Sequence, residues 1–132
     1  MRFDAGHKHD RWITGTLSQY FDLVSICPEV AIGLGIPRPP IQLKGAVNNI
    51  RVVGSRNPDL DVTDDLRRYG TKMAIQMDAI SGYIFKSKSP SCGLERVRLF
   101  PEGDGAPSRD GVGQYAAAFT AAQPLLPVEE EG

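Results

Sequence analysis

The sequence has little of several residue types, and each shortage excludes a class of protein. It has only two cysteines, Cys27 and Cys92, in 132 residues, too few for a small domain held together by disulfides. The net charge of −1 gives no general basic field for nucleic acid, although a local basic patch remains open. No apolar run approaches the roughly 20 residues of a membrane span, and the charged start is not a signal peptide. We therefore expect a protein of the reducing cytoplasm.

Short β-prone runs alternate with amphipathic segments along the chain. Apolar spacing predicts helices over residues 11–21, 63–79 and 112–123. Strands are predicted over 23–26, 83–85, 96–100 and 125–128, with a hairpin joining 41–44 to 50–53. Such alternation favours a three-layer α/β fold with a mainly parallel, Rossmann-like sheet in a single domain over 1–132. Residues 129–132 are expected to be a solvated tail, or the start of a linker to a second domain.

Both cysteines follow a predicted strand. Cys27 comes after the run 23–26, and Cys92 lies in a Ser-Pro-Ser-Cys-Gly turn after the run 83–85. If the two strands are parallel neighbours, their sulfur atoms meet at one edge of the sheet, where sites of α/β proteins form. The alternative is that they are buried small hydrophobic residues, which isolated cysteines usually are. Two thiolates alone do not fill a zinc or iron–sulfur site.

Three further features of the sequence have two interpretations each. His7 and His9 are either surface histidines or partners of the two cysteines in a Cys₂His₂ zinc site. Glu29 is either a solvated loop residue or a carboxylate that moves a proton or orients water, if Cys27 holds a metal centre two residues away. A Gly-x-Gly at 111–113 is either an ordinary helix start or an anion-binding turn.

Five motifs in fixed order give the sequence a recognisable pattern. They are 2–8 (RFDAGHK), 27–30 (CPEV), 33–38 (GLGIPR), 88–93 (KSPSCG) and 109–113 (RDGVG). Together they resemble the thiouracil desulfurase family almost from end to end, and the Ser-Pro-Ser-Cys-Gly motif is the most specific of them. Ala5 stands where the family usually has glycine.

The resemblance implies an iron–sulfur enzyme. Members of this family carry a [4Fe–4S] cluster held by three cysteines, and the open fourth iron binds the sulfur of the substrate. By motif, Cys27 and Cys92 would be two of the ligands, Glu29 the catalytic glutamate and Ser89 the active-site serine. The third family cysteine lies before the Arg-Phe-Asp motif, after an N-terminal strand. Since this sequence starts at Met1, we expect a shortened chain that lacks both.

The first hypothesis is therefore desulfuration of a thiolated uracil base, in which oxygen replaces sulfur without net redox change. The substrate would be free thiouracil, a thiouridine nucleotide or a transfer RNA thiouridine, the last reached through a second domain. Residues expected to contact the substrate are Asp4, His7, Lys8 and Ser91.

The second hypothesis belongs to a different class. It is a non-catalytic domain that has lost the cluster, or one that binds zinc through Cys27, Cys92, His7 and His9.

Overall fold

The computed structural model describes residues 24–131. No helix in this range is long and apolar enough to cross a membrane. In chain order the elements are α1 (Pro28–Ala31), β1 (Ile41–Ala46), β2 (Asn49–Gly54), α2 (Thr63–Gln76), β3 (Tyr83–Lys86), β4 (Val97–Phe100), β5 (Ser108–Gly111), α3 (Gln114–Ala122) and β6 (Val128–Glu131).

The strands form two sheets. One has four strands in the order β2-β1-β4-β5, and the other pairs β3 with β6 in parallel. In the larger sheet only β1 and β4 run parallel, so the expectation of a mainly parallel, Rossmann-like sheet is not confirmed. The reason is local. The predicted hairpin has only Val47 and Asn48 between its strands, and so short a connection forces antiparallel pairing. The architecture is mixed α/β.

Several elements differ from the sequence-based prediction in their existence or their extent. Residues 24–26 form no strand, although the backbone reaches Cys27 in an extended conformation. The last strand is Val128–Glu131 rather than 125–128, because backbone pairing with β3 orders the acidic residues that were expected to form a tail. Strand β5 was not predicted. The predicted helix over 11–21 lies outside the described residues.

The core lies where α2 and α3 pack together and against the strands. Leu66 of α2 and Phe119 of α3 are completely buried, as is Leu43 of β1. The two helices approach closely at Gly70, where an added Cβ would lie 2.6 Å from the carbonyl oxygen of Tyr115. Strand β4 alternates as predicted, with Val97 and Leu99 buried. This packing fixes the position of α3.

The start of α3 is held directly on the loop that carries the second cysteine. The amide of Gly113 donates to the Gly93 carbonyl at 2.7 Å, and the amide of Ala116 donates to the Ser91 carbonyl at 3.0 Å. The first amides of a helix have no partner within the helix, so the loop satisfies groups that would otherwise need water. A Cβ on Gly113 would lie 2.6 Å from the Ser91 carbonyl carbon. Only glycine fits this contact.

We predict that Gly113→Ala destabilises the protein by about 1–3 kcal/mol, because the new methyl group overpacks a contact made of backbone atoms. Gly103→Ala is the matched control, since an added Cβ at Gly103 would meet no atom within 4 Å. Urea unfolding of both variants and the parent chain measures the difference. Equal urea midpoints for the two variants would show that the loop can move away from α3 with no loss of unfolding free energy.

Candidate active site

The short helix α1 presents Cys27 and Glu29 together. Cys27 precedes the helix in an extended conformation, and its carbonyl accepts the amide of Ala31 at 3.0 Å. Pro28 occupies the first helical position, where its missing N–H is not needed. Glu29 lies in the first turn. The Cys-Pro-Glu sequence therefore folds as a helix start that places a thiol and a carboxylate two residues apart.

Glu29 is held by a buried ion pair. The Nε of Arg38 donates to Glu29 Oε2 at 2.6 Å, and the two side chains are only 2% and 12% exposed. A charge pair this far from water fixes both groups, because either partner left alone would be strongly destabilising. Arg38 is the last residue of the motif 33–38 (GLGIPR), so this motif supplies the cation that holds the carboxylate.

The loop after β3 folds around the hydroxyl of Ser89. Its Oγ accepts the backbone amides of Ser91 at 3.2 Å and Cys92 at 3.1 Å, and its carbonyl accepts the amide of Gly93 at 2.9 Å. A serine hydroxyl that bonds amides two and three residues ahead stabilises a tight local turn. Ser89 thereby fixes the backbone at Ser91 and Cys92, and with it the directions of their side chains.

A chain of hydroxyl groups joins this loop to Glu29. Ser91 Oγ donates to Glu29 Oε1 at 3.0 Å, and Ser91 Oγ lies 3.0 Å from Ser89 Oγ. Each hydroxyl has one proton to donate. When the Ser91 proton points at Glu29, Ser89 must be the donor to Ser91. The protons then run in one direction, from Ser89 through Ser91 to the carboxylate.

Both cysteines lie next to this chain. Burial raises the pKa of the Cys92 thiol to about 11; the adjacent Ser91 hydroxyl opposes that effect, whereas the nearby Glu29 and Cys27 add to it. Ser91 Oγ lies 3.6 Å from the Cys92 sulfur. Burial and the charge of Cys27 likewise raise the pKa of Tyr69. Cys27 is thus among the groups that act on the Cys92 thiol, 65 positions away in the sequence. The pairing of parallel strands from which we expected the two sulfur atoms to meet is absent, because residues 24–26 form no strand.

The structure brings together five of the residues singled out in the sequence, namely Cys27, Glu29, Ser89, Ser91 and Cys92. The others, Asp4, His7, Lys8 and His9, lie outside the described residues. Arg38 had no role assigned from the sequence, although it belongs to the motif 33–38. The amide of Gly113 is used by Gly93, so the Gly-x-Gly turn is a helix start rather than an anion site.

The donor set does not match a cluster held by three cysteines. The whole sequence has two cysteines, and both are already in this site. Within residues 24–131 no three His, Cys, Asp or Glu side chains are grouped so that they could hold a metal ion. The carboxylate of Glu29 is engaged by Arg38 and Ser91. The cysteines of this chain thus supply two of the three thiolates that such ligation requires.

Comparison with known proteins shows the family to which this chain belongs. The sequence profile of the 2-thiouracil desulfurase family matches residues 1–131. Among solved structures, the chain is similar to a [4Fe–4S]-dependent thiouracil desulfidase, TudS, with 30% sequence identity and a TM-score of 0.65. The similarity covers 98% of this chain and 82% of that one. No curated protein matches the sequence. Because the profile spans nearly the whole chain and a solved desulfidase shares its fold, this chain belongs to the 2-thiouracil desulfurase family, a family of enzymes.

Proposed function

We propose that this chain replaces the sulfur of a thiolated uracil base by oxygen. The observation that carries the proposal is the hydroxyl chain that ends on Glu29, a partly buried carboxylate near the thiols of Cys27 and Cys92. Family membership and the TudS neighbour, which is described as a thiouracil desulfidase, support the same substrate class. Free thiouracil, a thiouridine nucleotide and a transfer RNA thiouridine share this thiolated ring.

The proposed reaction is a hydrolysis. The oxygen of a water molecule bonds to the ring carbon of the C=S group, the carbon–sulfur bond breaks, and sulfur leaves as hydrogen sulfide. Both protons of the water end on sulfur and the C=O bond replaces C=S, so no oxidant or reductant is consumed. The protein must therefore remove a proton from water and deliver protons to the leaving sulfur.

Glu29 is the proposed base. Its Oε2 faces Arg38 and its Oε1 faces Ser91, so both oxygens are held in fixed directions. Each carboxylate oxygen has a further lone pair with which to accept a proton from water. Arg38 acts as a positioning residue, because it contacts the carboxylate rather than the substrate. Ser89 and Ser91 are the proposed proton relay, and Ser91 is also a proposed substrate contact.

The remaining assignments rest on the family motifs. Cys27 and Cys92 are the proposed thiolate ligands of an iron–sulfur centre. Because the sequence has only these two cysteines, the remaining ligands of such a centre would have to be groups other than cysteines of this sequence. The proposed substrate contacts Asp4, His7 and Lys8 belong to the first motif. The zinc alternative would need His7 and His9 to join the same two cysteines.

We predict that Glu29→Gln lowers the rate of sulfide release from thiouracil by about 10²–10⁴-fold, because an amide cannot take a proton from water. Glu102→Gln is the control, since Glu102 is an exposed glutamate in the loop before β5. Sulfide release and loss of thiouracil absorbance are followed together. Parent-like turnover by the Glu29 variant, with the cofactor loaded equally, would remove Glu29 from the mechanism.

The direction of the hydroxyl chain predicts a second result. Ser91→Ala interrupts the chain at its middle, and Ser89→Ala removes its first member together with two hydrogen bonds to backbone amides. We expect both to lower turnover at least tenfold, and Ser89→Ala to lower the unfolding midpoint more than Ser91→Ala, because it also removes the partner of two backbone amides. Ser87→Ala in the same loop is the control. An active Ser91→Ala variant would mean that the relay follows another route.

The cysteine assignment is tested by metal content rather than activity. After anaerobic reconstitution with iron and sulfide, we expect the iron that the parent chain retains to depend on both cysteines. Cys27→Ser and Cys92→Ser should retain less than about a tenth of that amount, because serine is a poor iron ligand. Zinc in place of iron in the parent chain would favour the zinc-binding alternative. Equal iron in the parent and both variants would refute the assignment.

A further inference from the structure

A groove of about 390 Å³ lies beside the candidate active site, on the larger sheet. Four cationic side chains line it, namely Lys88, Arg96, Arg98 and Arg109. No aspartate or glutamate of the described range does so. The charge is local, since the chain as a whole carries a net charge of −1. The groove is therefore a concentrated positive surface on a nearly neutral protein.

None of these four cations is neutralised within residues 24–131. The ion pairs of this range use Arg38, Arg51 and Arg68, and no side-chain hydrogen bond engages a cation of the groove. Unpaired like charges lining one concavity repel each other, and the concave shape strengthens their combined field. Such an arrangement is stabilised when a ligand with several negative charges enters.

The groove and the active site share one loop. Lys88 and Pro90 line the groove, whereas Ser89 and Ser91 form the hydroxyl chain to Glu29. Lys88 adopts the left-handed conformation at φ 63°, which an L-residue other than glycine rarely adopts. Arg96, which ends the same loop, does so at φ 55°. A ligand bound along the groove would thus run beside the loop that holds the site.

The length of the groove decides what kind of anion fits. Its lining comes from β1, β4 and β5 and from Ser55, so the groove crosses three strands and reaches the residue that follows β2, the fourth strand of the sheet. Three gaps of about 4.8 Å between neighbouring strands give a span of about 14 Å. One phosphate does not fill that span. Phe100, half-buried, adds an aromatic ring among the cations.

We propose that this groove binds single-stranded RNA through its sugar–phosphate backbone. A positively charged track with an aromatic side chain is the combination by which proteins hold single strands without reading their sequence. Phosphates would pair with the arginines, and a base would stack on Phe100. The choice of RNA over DNA rests on the proposed function, because uracil is an RNA base. The affinity for a polynucleotide does not rest on it.

The test uses a fluorescein-labelled oligouridine of about 12 nucleotides and the full chain, with fluorescence anisotropy as the readout. We expect Arg98→Gln/Arg109→Gln to raise the dissociation constant at least tenfold. The slope of the logarithm of the binding constant against the logarithm of the salt concentration should become shallower by about 1.4 in this double variant, which is about 0.7 for each of the two lost phosphate contacts. Arg68→Gln/Lys72→Gln removes the same charge from α2, which contributes nothing to the groove, and should change binding less than about twofold.

Three results would overturn the proposal. One is an equal loss of affinity in both double variants, since it would show a general charge effect. Another is binding of uridine monophosphate as tight as that of the oligomer, which would show a single phosphate site. The third is equal binding of polyglutamate of the same length, which would show a surface for any polyanion. Equal affinity for oligothymidine would keep the groove as a single-strand site but refute the choice of RNA. Circular dichroism of each variant confirms that it is folded.

Discussion

The contact between the start of α3 and the loop 89–93 is the constraint on which the rest of the site depends. Gly113 lies directly on the backbone of Ser91, and the loop carbonyls accept the first amides of the helix. The far side of α3 is fixed by α2, whose own close approach needs Gly70. The loop 89–93 thus packs on a helix whose position is fixed by the core. Its side chains can hold their directions although the loop itself has no regular structure.

Against this fixed loop, a second segment brings the carboxylate. Glu29 reaches Ser91 across 62 positions of sequence, and Arg38 holds the other oxygen of the same carboxylate. The ion pair and the hydroxyl chain therefore join three motifs, 27–30, 33–38 and 88–93. The described residues contain no buried side-chain nitrogen or oxygen that lacks a hydrogen-bond partner. A site so fully paired is pre-organised, which lowers the cost of orienting groups during a reaction.

The cofactor is where family and chain diverge. The solved TudS relative is described as [4Fe–4S]-dependent, whereas this sequence supplies two cysteines. The arrangement of Glu29, Ser89 and Ser91 does not depend on that difference, because hydrogen bonds and an ion pair hold these side chains. The number of thiolates and the proposed proton relay are therefore separate properties of this site.

The sequence alone was enough for features that depend on neighbours along the chain. The hairpin of β1 and β2, the helix α2 and the alternation of β4 follow from turn residues and apolar period, and they were predicted. The motifs also named Glu29, Ser89 and both cysteines. The order of the strands, the pairing of the acidic strand β6 and the contacts of Glu29 with Arg38 and Ser91 were decided only by the tertiary structure. Those contacts join residues far apart in sequence, and no local period or propensity encodes which distant backbone or charge a residue will meet.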